Sequence, residues 1–278
     1  MPSLENVVEE IKSVRVQGAK EIAIYGLKFL RDFAKEQGFD SKFDQVAELL
    51  KEVRPTAVVL HNCIEIIKKE RKISSMDRLI GYLTKSSEKI GRYSDKVLRN
   101  NTTIMTHCHS GEALAFVKHY GLDHKRKVSV IATETRPLEQ GVKTAKELAR
   151  AKIPVTLILD SAMGHFMKDA DMVVVGADAL RREGVINKIG TCLLAFAAKH
   201  HGKPFYVVAN VLKLDKRKDF TIEERPAAEI YRKMTSARNL RGIKIRNPAF
   251  DITPWQYVTA VVTDEGIMKP SQLMRRLK

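Results

Sequence analysis

The chain has 278 residues, 44% hydrophobic and 29% charged, so it can bury a full core and is not a disordered polymer. Its 49 Lys and Arg against 33 Asp and Glu give a formal net charge of +16, which points to an anionic partner, nucleic acid included. No apolar run approaches the ~20 residues that span a bilayer, and the opening MPSLENVVEEIK lacks the apolar stretch of a secretory leader, so a cytoplasmic protein without a membrane partner is expected.

Residues 1–99 read as a helical domain. Val7, Val8, Ile11 and Val14 fall at helical spacing, as do Ala23, Leu27, Leu30 and Phe33. Ser41 is placed to cap a helix carrying Phe43, Val46, Leu49 and Leu50. Pro55 breaks the chain before an apolar helix over Ala57–Lys69, and a long helix is expected from Ser75 to Leu98. After Asn100-Asn101 the pattern changes. Thr102–Thr106, Val128–Ala132, Val155–Leu159, Met172–Val175, Phe205–Val208 and Thr259–Val262 are apolar runs of strand length. Helical patterns over Glu112–His119, Gly141–Ala151 and Ile186–His201 separate most of them. Alternating strands and helices predict an α/β domain over 100–278, with a Rossmann-like, doubly wound parallel sheet.

Ligands of such sheets collect beyond the carboxyl ends of the strands. The residues found there are Thr106–Gly111, Thr133–Pro137, Asp160–Ala162, Gly176–Asp178 and Asn210 with the following VLKLDKRK. They bring a thiol, carboxylates, an arginine and lysines to one rim. No GxGxxG or P-loop pattern accompanies them, so dinucleotide binding and P-loop hydrolysis lack support.

Cys108 precedes Ser110-Gly111 and a helix start, where backbone N–H groups and the helix field favour a thiolate or a bound phosphate. The plainer alternative is a small residue at a strand end. Asp178 follows the apolar VVVGA, and partial burial would raise its pKa and suit it to proton transfer; it reads equally as a cap or loop carboxylate. Arg136 in ETRP offers a fork for phosphate, or pairs with Glu134 or Glu139. Asn187-Lys188 is placed at a helix start, with Lys188 facing phosphate and Asn187 a sugar hydroxyl, or as an ordinary polar pair. Cys63 and Cys192 are assigned to the core. Strand alternation would turn Cys108 away from His107 and His109. Three cysteines without a CxxC pair give neither a disulfide framework nor a zinc motif, so no metal is assigned.

Taken together, VRPTAVVL at 53–60, THCHSG at 106–111, TETRPLEQGVKTAKELA at 133–149, VVVGADAL at 173–180, GVINKIGTCLLAFAAKHHGKPFYVVA at 184–209 and NPAFDITPWQYVTAVVTDEG at 247–266 resemble the family of translation initiation factor 2B alpha, beta and delta subunits. That family includes ribose-1,5-bisphosphate isomerase and methylthioribose-1-phosphate isomerase. The resemblance implies a helical domain followed by a Rossmann-like one, and a homodimer or higher oligomer. It implies catalytic roles for Cys108 and Asp178, with sugar-phosphate contacts from Arg54, Ser110, Gly111, Asn187, Lys188 and Lys213, and with Arg136 in the ETRP segment. It implies isomerisation of a ribose 1-phosphate-type aldose, ribose 1,5-bisphosphate first, without a metal or cofactor. Asp178 would protonate the ring oxygen and Cys108, as thiolate, would remove the C2 proton. Three positions depart from the archaeal isomerase pattern: Gln17 replaces an arginine, Gly111 a lysine, and His61 a proline. The rival implication is a regulatory subunit that binds initiation factor 2, through its alpha subunit, and a nucleotide or sugar phosphate. Direct RNA binding ranks last, because aromatics total only 6% and no recognition motif is present.

Overall fold

The computed structural model describes residues 2–13, 15–16, 18–123, 126–232, 234 and 242–278. Val14 and Gln17, singled out above, lie outside the described residues.

Five helices come first: α1 (Leu4–Lys12), α2 (Ala19–Gln37), α3 (Ser41–Val53), α4 (Val58–Glu70) and α5 (Ile73–Gly91). The apolar stripes read from the sequence meet in one cluster, where Leu27, Leu30, Phe43, Leu50, Ile64 and Met76 are fully buried. Two boundaries differ from expectation. Asp40, not Ser41, caps α3, because its carboxylate accepts the Phe43 N–H at 2.9 Å. The long helix ends at Gly91 and a separate 3-10 turn spans Ser94–Lys96. Gly91 lies where α5 crosses the next helix: a Cβ there would stand 3.1 Å from the His119 Cβ and 3.2 Å from the Ala115 carbonyl.

The remaining elements are β1 (Thr102–Thr106), α6 (Gly111–Lys118), β2 (Val128–Thr133), α7 (Gln140–Arg150), β3 (Val155–Ile158), α8 (Met163–Phe166), β4 (Met172–Val175), β5 (Ala179–Leu180), β6 (Val185–Lys188), α9 (Thr191–His200), β7 (Phe205–Val208), α10 (Ala228–Tyr231), β8 (Phe250–Thr253), β9 (Ala260–Thr263), β10 (Gly266–Met268) and α11 (Pro270–Arg276). The main sheet has the order β10-β9-β7-β4-β1-β2-β3. All its pairs are parallel except β9 with the edge strand β10. Both faces are covered, which explains the unbroken apolar runs. Val173 and Val175 of β4 enter one core cluster, while Met172 and Val174 enter the other.

The chain winds outward from β1 through β2 to β3, then returns to build β4, β7 and β9 on the other side. The direction reverses between β1 and β4. Connections leaving those two strands part to opposite sides, and a crevice opens above their carboxyl ends.

A three-stranded antiparallel sheet, in the order β5-β6-β8, was not expected. It corrects the reading of Ile186–His201 as one helix. Val185–Lys188 forms the middle strand, Gly190 takes a left-handed φ of 101°, and helix begins only at Thr191. A residue with a Cβ is strained in that backbone conformation. Asn187 and Lys188 therefore sit on a strand rather than at a helix start. Among the described residues no helix is long and apolar enough to cross a membrane.

Candidate functional site

The crevice is a cleft of about 1110 Å³ including its open mouth, lined from both the helical layer and the sheet. Cys108 reaches it from the turn after β1 and Asp178 from the link after β4. Arg54 comes from the end of α3, and Asn187 and Lys188 from β6. Ser110, Gly111 and Lys213 complete the expected set. Arg136 does not line the cleft. Its guanidinium stands 3.5 Å from Glu139 and donates to the Ile230 carbonyl at 3.3 Å.

The thiol turn is held by a chain of polar contacts. His107 is buried, with Nδ1 at 2.6 Å from the Thr133 hydroxyl and Nε2 at 2.8 Å from the Ile189 carbonyl. A carbonyl only accepts, so Nε2 carries the proton and Nδ1 accepts from Thr133. Burial lowers the His107 pKa and keeps the ring neutral. The Cys108 N–H donates to the Thr135 hydroxyl at 2.8 Å. Cys108 itself adopts a φ of +69°. That left-handed turn overrides strand alternation, so His107, Cys108 and His109 all line the same cleft. Among the described residues no group of three His, Cys, Asp or Glu is arranged to hold a metal.

Ser110 caps α6, its hydroxyl accepting the Ala113 N–H at 3.3 Å. Gly176 lets β4 approach this turn: a Cβ there would stand 2.4 Å from the Ser110 Oγ and 2.5 Å from its Cβ. Asp160 holds the neighbouring ETRP turn by accepting the N–H groups of Thr135 at 2.8 Å and Arg136 at 2.7 Å.

Burial works against the thiolate expected in the resting cleft. Burial pushes the Cys108 thiol up to about 11, although Lys188 pulls the other way. The cost of desolvating a charge exceeds what a helix start returns. Asp178 is not a helix cap; its N–H donates to the Ile186 carbonyl at 2.8 Å. Burial raises its carboxyl pKa, against the pull of Lys213, Arg54 and Lys188.

The lysines differ in availability. Lys188 lies 5.3 Å above the Phe250 ring, and no carboxylate among the described residues stands within ion-pair distance of it. Lys213 is buried in a close pair with Glu112. The Arg54 Nε stands 3.7 Å from Glu223, while its buried Nη1 has no hydrogen-bond partner among the described residues. Sequence reading missed Glu112, Lys143 and Lys20 as lining residues; an acidic residue in the first turn of a helix looks like ordinary dipole complementation. Of the other cysteines, Cys63 is fully buried as assigned, whereas Cys192 is only half-buried beside Asp251.

A doubly wound α/β sheet with a thiol, a carboxyl and several cations at its switch point defines a protein built around a small anionic ligand. The chain belongs to the initiation factor 2 subunit family, whose model matches residues 15–270. It is 39% identical to the ribose 1,5-bisphosphate isomerase of Archaeoglobus fulgidus, over 97% of this chain and 91% of that protein. It is 37% identical to the methylthioribose-1-phosphate isomerase of Acetivibrio thermocellus, over 95% and 87% respectively. Among solved structures, the Pyrococcus horikoshii translation initiation factor eIF-2B superposes over the whole of both chains with a TM-score of 0.83 at 27% identity.

Proposed function

We propose that this protein is an aldose–ketose isomerase acting on a ribose 1-phosphate-type sugar, ribose 1,5-bisphosphate first, with Cys108 and Asp178 carrying the protons. The observation that supports it is their presence in one cation-lined cleft at the switch point, in a chain whose relatives carry the names of two such isomerases.

The reaction balances without an external reagent. A base removes the C2 proton, a C1–C2 double bond forms, the C1–O4 ring bond breaks, and O4 takes a proton. The enol then reprotonates at C1 while its C2 hydroxyl gives up a proton, leaving a ketone at C2. Cys108 as thiolate is the base at C2 and the donor at C1. Asp178 as carboxylic acid protonates O4 and then accepts the C2 hydroxyl proton. Lys188, Arg54 and the start of α6 offset phosphate charge.

The resting thiol sets a constraint. With Cys108 at about 11, the ground form between the Asp178 and Cys108 titrations holds a thiol and a carboxylate. Moving one proton from Cys108 to Asp178 generates the active pair with no net proton uptake. The active and ground forms then share one proton count, so kcat/KM is flat between the two titrations. The plateau height falls tenfold for each unit by which the Asp178 value drops relative to that of Cys108.

The test incubates purified protein with ribose 1,5-bisphosphate and, separately, methylthioribose 1-phosphate, and follows ketose by NMR. Turnover of either, lost in Cys108→Ser and Asp178→Asn, is expected; folded protein idle on both refutes the reading. Self-association fits the surface of α9, where Leu193 and Phe196, one turn apart, are 58% and 44% exposed. A second reading, a subunit docking on initiation factor 2 alpha, is favoured by the likeness to eIF-2B; calorimetry with that subunit separates the two.

A further inference from the structure

Glu112 has no part in the reaction outlined above, yet it is 2% exposed at the edge of the cleft. A carboxylate buried this far needs partners on every side. Its Oε1 accepts from Asn210, through the side-chain amide at 2.6 Å and the backbone N–H at 3.3 Å, and its Oε2 takes the Lys213 ammonium in a close pair. Glu112 follows the thiol turn after β1, while Asn210 and Lys213 follow β7. In the sheet β4 lies between those two strands, and Asp178 follows β4. The Glu112–Lys213 bridge therefore joins the two flanks of the strand that delivers Asp178. The Lys213 turn is fixed from behind as well: the Asn62 side-chain amide donates to the carbonyls of Leu212 at 2.7 Å and Leu214 at 2.8 Å.

Lys213 has two acids to choose between, Glu112 and Asp178. We propose that Glu112 is a positioning residue: it holds the Lys213 ammonium on itself, prevents it from closing on Asp178, and so leaves Asp178 able to act as the proton donor. This rests on the isomerase reading and extends it to a residue that touches no substrate.

The charges around Asp178 support it. Arg54 faces Asp178 from the end of α3, Lys188 from β6 and Lys213 from beyond β7, and each of the three pulls its pKa down. Burial opposes them, and Glu112 from α6 adds to burial. Cys108, beyond β1, is a further titratable neighbour. Glu112 itself faces Lys213 and Tyr82 of α5, whose hydroxyl is bonded to Asp264. Arg54 has Glu223 at 3.7 Å, so neutralising Glu112 would release Lys213 in particular, with Asp178 the acid left for it in the cleft.

The test is Glu112→Gln, read by carbon-13 NMR titration of the Asp178 carboxyl, assigned with Asp178→Asn, beside the pH profile of kcat/KM. The expected result is a fall of about one unit or more in the Asp178 midpoint. The acid limb of the profile moves down by the same amount and the plateau drops about tenfold per unit. A structural role alone would lower the rate without moving the limb. Glu112→Gln/Lys213→Met buries no unpaired charge, and its midpoint should stand at or above that of the wild type. An unshifted Asp178 in folded Glu112→Gln, or a lowered one in the double variant, overturns the proposal. The titration needs no turnover, so it reads the placement of Lys213 even if the protein isomerises neither sugar.

Discussion

Replacing Gly176 by alanine should damage the site from beneath while leaving every charged group in place. The new methyl would lie 2.5 Å from the Ser110 Cβ and 2.4 Å from its Oγ. Rotating the hydroxyl away relieves only the second contact, because the first involves the carbon fixed to the backbone. Restoring ordinary van der Waals separation requires the Ser110 turn to retreat by about 1 Å, and Cys108 belongs to the same turn. Overpacking of this kind costs about 1–3 kcal/mol of stability, and a displacement of about 1 Å at a reacting group costs roughly 100-fold in rate. Gly81→Ala is the control: it lies within α5 with nothing inside 4 Å, and it should stabilise by about 0.5–1 kcal/mol. Thermal melts and ketose formation by NMR read both variants. If Gly176→Ala melts and turns over like the wild type, the close packing of β4 beneath the thiol turn is not what positions Cys108.

Two further predictions concern stability. Burial pushes the Asp251 carboxyl up to about 6, against the pull of the Cys192 and Gly190 N–H groups it accepts. The folded protein then holds a proton that the unfolded chain releases near pH 4. This carboxyl's contribution to stability is therefore fully present below about pH 4 and is lost as pH rises through about 6, at most about 3 kcal/mol; Asp251→Asn should remove that contribution in melts from pH 4 to 7. Arg181 is buried and donates to Asp215 at 2.6 Å, while Trp255 donates to the Arg181 carbonyl at 2.8 Å. Arg181→Met should cost about 1–3 kcal/mol in urea denaturation at neutral pH, because Asp215 loses one buried partner while keeping Arg217 at 2.8 Å. Burial would raise the Asp215 pKa, but hydrogen bonds from Arg217 and Arg181 outweigh it and hold the group below the usual range. The pair's contribution is thus present above about pH 4 and lost only below it, so variant and wild type should converge in acid.

The main sheet was legible because its strands are buried on both faces. Met172–Val175 and Phe205–Val208 had no other structure short enough to adopt. What local pattern conceals is set at long range. β6 was read as helix because Ile186 falls in phase with the apolar residues of α9, and only the left-handed Gly190 separates the two. The turn at Cys108 depends on Thr135, which lies 27 residues away. The state of Lys213 depends on Glu112, 101 residues away. Motif matching delivered Cys108, Asp178, Asn187 and Lys188 to one cleft because it compares whole chains. It also drew in Arg136, which the geometry turns toward Glu139. The net charge of +16 is divided in the same way: Lys188 faces the cleft with no ion pair among the described residues, whereas Lys213 and Arg225 are tied to carboxylates.

The central claim is that the Cys108 sulfur carries the C2 proton. Incubating ribose 1,5-bisphosphate with the protein in deuterated water, and following C2 and C1 by NMR, tests it directly. The expected result is ketose whose new C1 hydrogen comes from C2, replaced by solvent deuterium to the extent that the thiol exchanges before delivering it, with neither turnover nor exchange in folded Cys108→Ser. Ketose formation that survives the loss of the thiol would contradict the account.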